Sequence, residues 1–286
     1  MRNAHTRRST IAGLSVSMAF GLTAPAGAAG SALAALERRN GGRLGVFALD
    51  TGSGATLGFR ADERFLMCST CKTLVVAAVL ARVDSERERL DRRITYTKAD
   101  LLDYAPVARA HVADGELSVE MLCQAAIEVS DNTAANLLLS TIGGPGGVTH
   151  YARGLGDSVT RLDRNEPTLN QPEGILDTTS PRAMSGSVRN ILLGKALSPS
   201  SRQQLETWMI ASTRGLARLR AGLPADWRVG DKAGTGDAET NDVAIARAPG
   251  RRPLFVAAYY AAADIDAPAR DAVLRSVGAI VAEWRA

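Results

Sequence analysis

Strand-forming segments in this 286-residue chain cluster at its two ends, and that distribution is the strongest constraint on its fold. Near the N-terminus, Leu44 to Thr51 and Ala55 to Arg60 read as two strands joined by the turn Gly52-Ser53-Gly54. Near the C-terminus, Trp227 to Asp231, Asp242 to Ala246 and Leu254 to Ala261 read as three more, the last two joined through Pro249-Gly250-Arg251-Arg252. Between them the pattern is helical. Leu74 to Val83 is apolar on nearly every side, as a buried helix is. Val119 to Val129 and Thr133 to Leu139 also read as helices. Ser180-Pro181 and Ser198-Pro199 each put a cap before a proline at the first helical position, and Gly194 ends the first of these two helices. Val273, Leu274, Val277, Ile280, Val281 and Trp284 share one face of a closing helix. Two isolated strand groups do not make stable sheets, so the ends must meet. The expected fold is α/β of the α+β kind: an antiparallel sheet of about five strands built from both termini and flanked by helices, with an all-helical lobe inserted. The corresponding division is 30–61 with 212–286 for the sheet lobe and 62–211 for the helical lobe. An active site is expected between them. Gly143-Gly144 and Gly146-Gly147 around Pro145 read as a surface turn.

Residues 1–29 stand apart. Arg2, Arg7 and Arg8 precede an apolar stretch, Ile11 to Leu22, and small residues follow with A-x-A at Ala24-Pro25-Ala26 and Ala26-Gly27-Ala28. This is the layout of a cleaved export signal, so a periplasmic or extracellular protein is expected. Arg7-Arg8 fits either a twin-arginine signal or an ordinary basic start. The apolar stretch is short for a membrane span. The three arginines account for all but one of the four net positive charges, and no basic stripe points to nucleic acid. Cys68, Cys71 and Cys123 are an odd number, so at least one thiol is unpaired, and small buried thiols are the simplest reading. His5, His111 and His150 are too scattered for a zinc site. A monomer is the default.

Four short motifs carry the chemistry. Ser69-Thr70-Cys71-Lys72 places a hydroxyl and an amine one turn apart on one helix face. The helix start supplies unpaired N–H groups able to stabilise an oxyanion beside Ser69. Ser130-Asp131-Asn132 adds a second hydroxyl, suited to passing a proton to a leaving nitrogen, and an amide suited to reading a substrate amide. Glu166, with Asn170 four positions on, supplies a general base and a partner for a hydrolytic water. Lys232-Ala233-Gly234 offers a cation for a substrate carboxylate and a glycine for close backbone approach. The Thr235 N–H is a candidate second oxyanion donor, and Arg220 a candidate second carboxylate contact. Arg164 is placed to pair with Asp177 and pin the Glu166 loop. Together these groups can form an acyl-enzyme and hydrolyse it without a metal or organic cofactor.

The set resembles the class A serine β-lactamases, from about Arg43 to the C-terminus. Asp103-Tyr104-Ala105-Pro106, Asp177-Thr178-Thr179-Ser180-Pro181 and Arg220-Ala221-Gly222-Leu223-Pro224 add to the likeness. The resemblance implies that Ser69 is the acylated nucleophile and that Lys72 and Glu166 are general bases. It implies that Ser130 shuttles a proton, that Asn132 and Asn170 hold substrate and water, and that Tyr104 lines the pocket. The implied substrates are penicillins and cephalosporins, and the implied outcome is β-lactam resistance. Three departures stand out. Ala233 replaces the family's Ser or Thr, Cys71 replaces an aromatic residue, and Asn170 to Asp177 is about two residues short. Two other readings use some of these motifs: a penicillin-binding D,D-peptidase, which lacks the Glu166 loop, and a β-lactam sensor, which traps the drug.

Overall fold

The computed structural model describes Met1 and residues 25–285. The expected export signal therefore lies mostly outside the described residues. Its last residues form the start of helix α1 (Pro25–Asn40), so the 29/30 boundary falls inside a helix that buries Ala29 and Leu33.

Five strands build the main sheet: β1 (Arg43–Asp50), β2 (Thr56–Phe59), β3 (Arg228–Thr235), β4 (Glu239–Arg247) and β5 (Leu254–Ala261). They form one antiparallel sheet in the order β2-β1-β5-β4-β3. The termini meet where β1 pairs with β5, from Arg43 opposite Ala261 to Asp50 opposite Leu254. β3 is longer than its sequence pattern suggests and carries Lys232 to Thr235 within the ladder.

Both faces of the sheet are covered, which explains why β5 reads as an unbroken apolar run. Its side chains alternate between two cores. Leu254, Val256, Ala258 and Tyr260 pack with α1 and with the last helix, α8 (Ala267–Arg285). Phe255, Ala257 and Tyr259 join the larger core under the helical segment.

That segment is built around α2 (Lys72–Asp84), where every residue from Lys72 to Leu80 is buried. Around it lie α3 (Val119–Glu128), α4 (Asn132–Thr141), α5 (Pro145–Gly154), α6 (Pro181–Leu193) and α7 (Pro199–Ile210). Side-chain caps start four of them: Ser118, Asp131, Ser180 and Ser198 each accept a backbone N–H from the first turn. The region expected to be a Gly-rich surface turn is one at Gly143-Gly144, both at positive φ, but from Pro145 onward it is the start of α5. Pro145 sits in its first turn, and Val148 and Ala152 bury one face.

Candidate active site

Ser69 lies on a tight turn, Cys68–Cys71, that runs directly into α2. Cys68 just before it has φ of 46°, a left-handed conformation rare for a side-chain-bearing residue. β3 lies against this turn. A Cβ on Gly234 would sit 2.8 Å from the Met67 carbonyl oxygen and 3.2 Å from the Thr70 nitrogen. Glycine is needed there so that the strand can touch the turn. Ser69 and Thr235 thereby line one cavity of about 190 Å³, with Tyr104, Ser130, Asn132, Asn170, Arg214 and Ala233.

The amine of Lys72 is fully buried and ties the helical side together. It donates to the Ser130 carbonyl at 2.8 Å and to the Asn132 Oδ1 at 2.6 Å, and lies 3.3 Å from the Ser130 hydroxyl. It also pairs with Glu166 Oε1 at 3.0 Å, both side chains being wholly inaccessible. The same Glu166 oxygen accepts from the Ser69 hydroxyl at 3.3 Å. Glu166 Oε2 accepts from Asn170 Nδ2 at 2.6 Å. A buried charge pair gains little net stability over apolar packing, but losing either partner strands the other charge. A charge pair buried directly behind Ser69 and Asn132, which line the cavity, is a functional signal.

The loop bearing Glu166 is held at both ends. Asn136 on α4 bonds the Glu166 main chain in both directions, at 2.9 and 3.0 Å. Arg164 pairs with Asp177 at 2.5 Å, as the sequence suggested, and Asp177 also accepts the N–H groups of Asp163 and Arg164. The shorter stretch after Asn170 therefore still delivers the Glu166 carboxylate to Ser69. Ser130 is presented at φ of 63° by a loop that Asp131 anchors. Asp131 is fully buried, capping α4 through Ala134 and accepting the N–H groups of Val107 and Ala108. With its oxygen on Lys72, Asn132 has its amide N–H groups to offer a substrate carbonyl.

The strand side differs from expectation at Arg220. Its guanidinium is turned away from the cavity, paired with Asp231 and bonded to the Ile210 and Met209 carbonyls. Asp231 is a fully buried acid, and such a group holds the nearest cation. The arginine that holds Thr235 is Arg218, which sequence reasoning missed. It donates to Thr235 Oγ1 at 2.8 Å and to the carbonyls of Gly234 and Asn241 at 2.8 and 2.9 Å, with Asp271 at 2.7 Å behind it. Because the Thr235 oxygen accepts from Arg218, its hydroxyl hydrogen is left available as a donor. Lys232 donates to the Ser130 hydroxyl at 3.0 Å and to the Ala233 carbonyl at 2.8 Å. Burial, then the charge on Lys72, push its pKa down to about 7.

All three cysteines are free and buried, and burial first of all raises their thiol pKa values, that of Cys71 to about 12. These are packing residues rather than nucleophiles. Among the described residues no cluster of metal-binding side chains occurs.

Comparison with known proteins decides the family. The model of the β-lactamase enzyme family matches residues 28–284, nearly the whole chain. The chain belongs to the class A serine β-lactamases. It is 44% identical to β-lactamase CTX-M-8 of Citrobacter amalonaticus over 254 residues, covering 88% of this chain and 87% of that one. It is 47% identical to a β-lactamase of Streptomyces albus G over 259 residues, covering 88% and 82%. The crystal structure of a β-lactamase from Burkholderia vietnamiensis superposes with a TM-score of 0.89 at 55% identity, covering 90% and 96% of the two chains. An ancestral class A β-lactamase gives 0.87 at 57% identity, covering 89% and 99%. This β-lactamase is thus a hydrolase acting on β-lactams.

Proposed function

We propose that this β-lactamase is exported, acylates Ser69 with penicillins and cephalosporins, and hydrolyses the acyl-enzyme through Glu166. One observation carries this reading: a single Glu166 oxygen faces both the Ser69 hydroxyl and the Lys72 amine, at 3.3 and 3.0 Å. A penicillin-binding peptidase has no such carboxylate on its nucleophile.

The sequence of events follows from the contacts. Ser69 Oγ attacks the ring carbonyl and gives its proton to Glu166, the group to which it donates in the structure. Lys72, paired with the same oxygen at 3.0 Å, holds the carboxylate in place against Ser69. Negative charge on the carbonyl oxygen is received by the N–H groups of Ser69 and Thr235, a donor pair in which each member is typically worth roughly a hundredfold or more in rate. The ring C–N bond breaks, and Ser130 gives its proton to the departing nitrogen. Lys72, 3.0 Å from Glu166 Oε1 and 3.3 Å from the Ser130 hydroxyl, is placed to pass the proton taken by Glu166 on to Ser130, which returns Glu166 to the carboxylate, and Lys232 at 3.0 Å supports the same hydroxyl.

Deacylation needs a water held against the new ester. Glu166 takes its proton as the water oxygen bonds to the ester carbon, then gives that proton to Ser69 Oγ, which leaves as the alcohol. Asn170 supports this role. Its Nδ2 fixes the Glu166 carboxylate, while its buried Oδ1 has no partner among the described residues and remains an acceptor for that water.

Glu166→Ala tests the assignment. Incubated with benzylpenicillin, the variant should accumulate one covalent adduct on Ser69, seen by mass spectrometry, while the unsubstituted enzyme shows turnover and no lasting adduct. Absence of the adduct sinks the division of roles. N-terminal sequencing of protein from the culture medium and periplasm tests export.

A further inference from the structure

We propose that Arg214 binds the substrate carboxylate and takes over the contact that Ala233 cannot make. The inference rests on the β-lactamase reading above and extends it to a residue that no motif marks.

Arg214 is an exposed cation at the cavity wall. Among the described residues it has no ion pair and no hydrogen bond. Its guanidinium carbon stands over the Tyr104 ring, 5.0 Å from the centroid. The other cations of the site are engaged. Lys72 pairs with Glu166, Arg218 serves Thr235 and Asp271, and the fully buried Lys232 amine serves Ser130 and Ala233.

The position of Arg214 is built rather than accidental. On one side, Thr213 N–H donates to the Glu128 carbonyl at 3.0 Å. On the other, a Cβ at Gly215 would stand 1.9 Å from an oxygen of Asp231, so the backbone there is pressed against β3. Tyr104 is tied to the same segment, its hydroxyl donating to the Val129 carbonyl at 3.0 Å. Arginine and ring are thus both fixed to residues 128–130, the segment that ends in Ser130.

Chemistry places the substrate carboxylate on that side. Ser130 protonates the ring nitrogen. In penicillins and cephalosporins the carboxylate is carried by the carbon attached to that nitrogen. It must lie near Ser130, between Lys232 and the outer wall formed by Arg214. The donors facing it there are the Thr235 hydroxyl and the Arg214 guanidinium, since residue 233 offers only a methyl group. A guanidinium is permanently charged and presents paired donors to a carboxylate. Stacking on Tyr104 restricts its rotamers before substrate arrives, which lowers the cost of binding.

The test compares a carboxylate-bearing substrate with its neutral ester. Benzylpenicillin and its methyl ester are assayed with the unsubstituted enzyme, Arg214→Ala, Arg214→Lys and Tyr104→Phe. Where the ester turns over slowly, acylation rates are read by mass spectrometry in a Glu166→Ala background. Loss of a charged hydrogen bond at a partly open site predicts roughly a tenfold to hundredfold fall in kcat/KM for the acid, mostly through KM. The ester should change less than about threefold, and Arg214→Lys should recover much of the loss. An equal fall for acid and ester would make Arg214 a structural clamp and overturn the proposal. An unchanged acid would overturn it as well. The β-lactamase reading stands or falls separately, on turnover by the unsubstituted enzyme in the same series.

Discussion

The two walls of the cavity are built on different principles. On the helical wall the reactive side chains are bonded to one another before any substrate arrives: Ser69 to Glu166, Glu166 to Lys72 and Asn170, and Lys72 to Asn132. Lys72 and Glu166 have no exposed side-chain surface. The strand wall presents an alanine methyl, a threonine hydroxyl and an arginine that has no ionic partner among the described residues. In the proposed mechanism the first wall fixes which bond is broken, and the second decides which molecules are held long enough for that to happen. Substitutions on the first should therefore act on kcat, and those on the second on KM.

The sharpest test of this division is Ser69→Ala. Groups that act as one unit lose most of their joint effect when any member goes, so kcat should fall by at least about four decades. Titration calorimetry with an intact β-lactam should still show binding, because the strand wall is untouched. A variant that loses binding together with turnover would show the walls to be one device.

The helical wall was also the more legible of the two in the sequence. Ser69 and Lys72 stand three apart on a helix whose apolar surround demanded a reason for a lysine, and the local rule carried most of the argument. Arg220 was misassigned for the opposite reason. Its fate depends on the buried Asp231, 11 positions away on a different element, and no local pattern reports such a partner. Arg218 and Arg214 escaped notice likewise, since their importance lies in Thr235 and Tyr104. In the fold, the meeting of β1 with β5 was readable because strand runs had to pair somewhere. Helix α5 was not, because its glycines read as breakers. Gly147 is in fact required for packing, where a Cβ would meet the Ile142 carbonyl oxygen at 2.0 Å. Sequence shows that a glycine is permissive, but not which neighbour needs its absent side chain.

The next largest effect should come from the ion pair that closes the Glu166 loop of the helical wall. Asp177 is fully buried, and Arg164 pairs with it at 2.5 Å. Asp177→Ala leaves that arginine facing a cavity and should cost about 3 kcal/mol, lowering the melting temperature by roughly 6 °C or more. Deacylation should slow more than acylation, because Glu166 is positioned by this loop. Single-turnover kinetics distinguish the two steps. Equal slowing would mean that the loop shapes the whole cavity rather than the water-activating group alone. On the other wall, Ala233→Thr should raise kcat/KM for benzylpenicillin about tenfold by restoring one donor to the carboxylate, with kcat nearly constant. No gain would indicate that Thr235 and Arg214 already satisfy that group.

The smallest effect concerns Lys232, which belongs to the strand wall but touches Ser130. Its neighbours are Lys72 on α2, Glu166 on the opposing loop, Cys71 before α2 and Asp231 on its own strand. Burial and Lys72 hold its pKa near 7, against 10.5 for an ordinary lysine. Its cation is therefore lost as pH rises through about 7, and kcat/KM for carboxylate-bearing β-lactams should fall a few-fold, roughly, over that rise. Stability should move the other way. Between about 7 and 10.5 the unfolded chain keeps a proton that the folded chain has released, so this group's penalty on folding is complete below 7 and is relieved as pH rises. Opposite slopes in activity and stability are the signature of one group with a depressed pKa. Lys232→Arg keeps the charge at all these pH values and should flatten both curves. If the activity limb survives in that variant, the titrating group lies on the helical wall, and the separation of chemistry from recognition fails at Ser130, where the two walls meet.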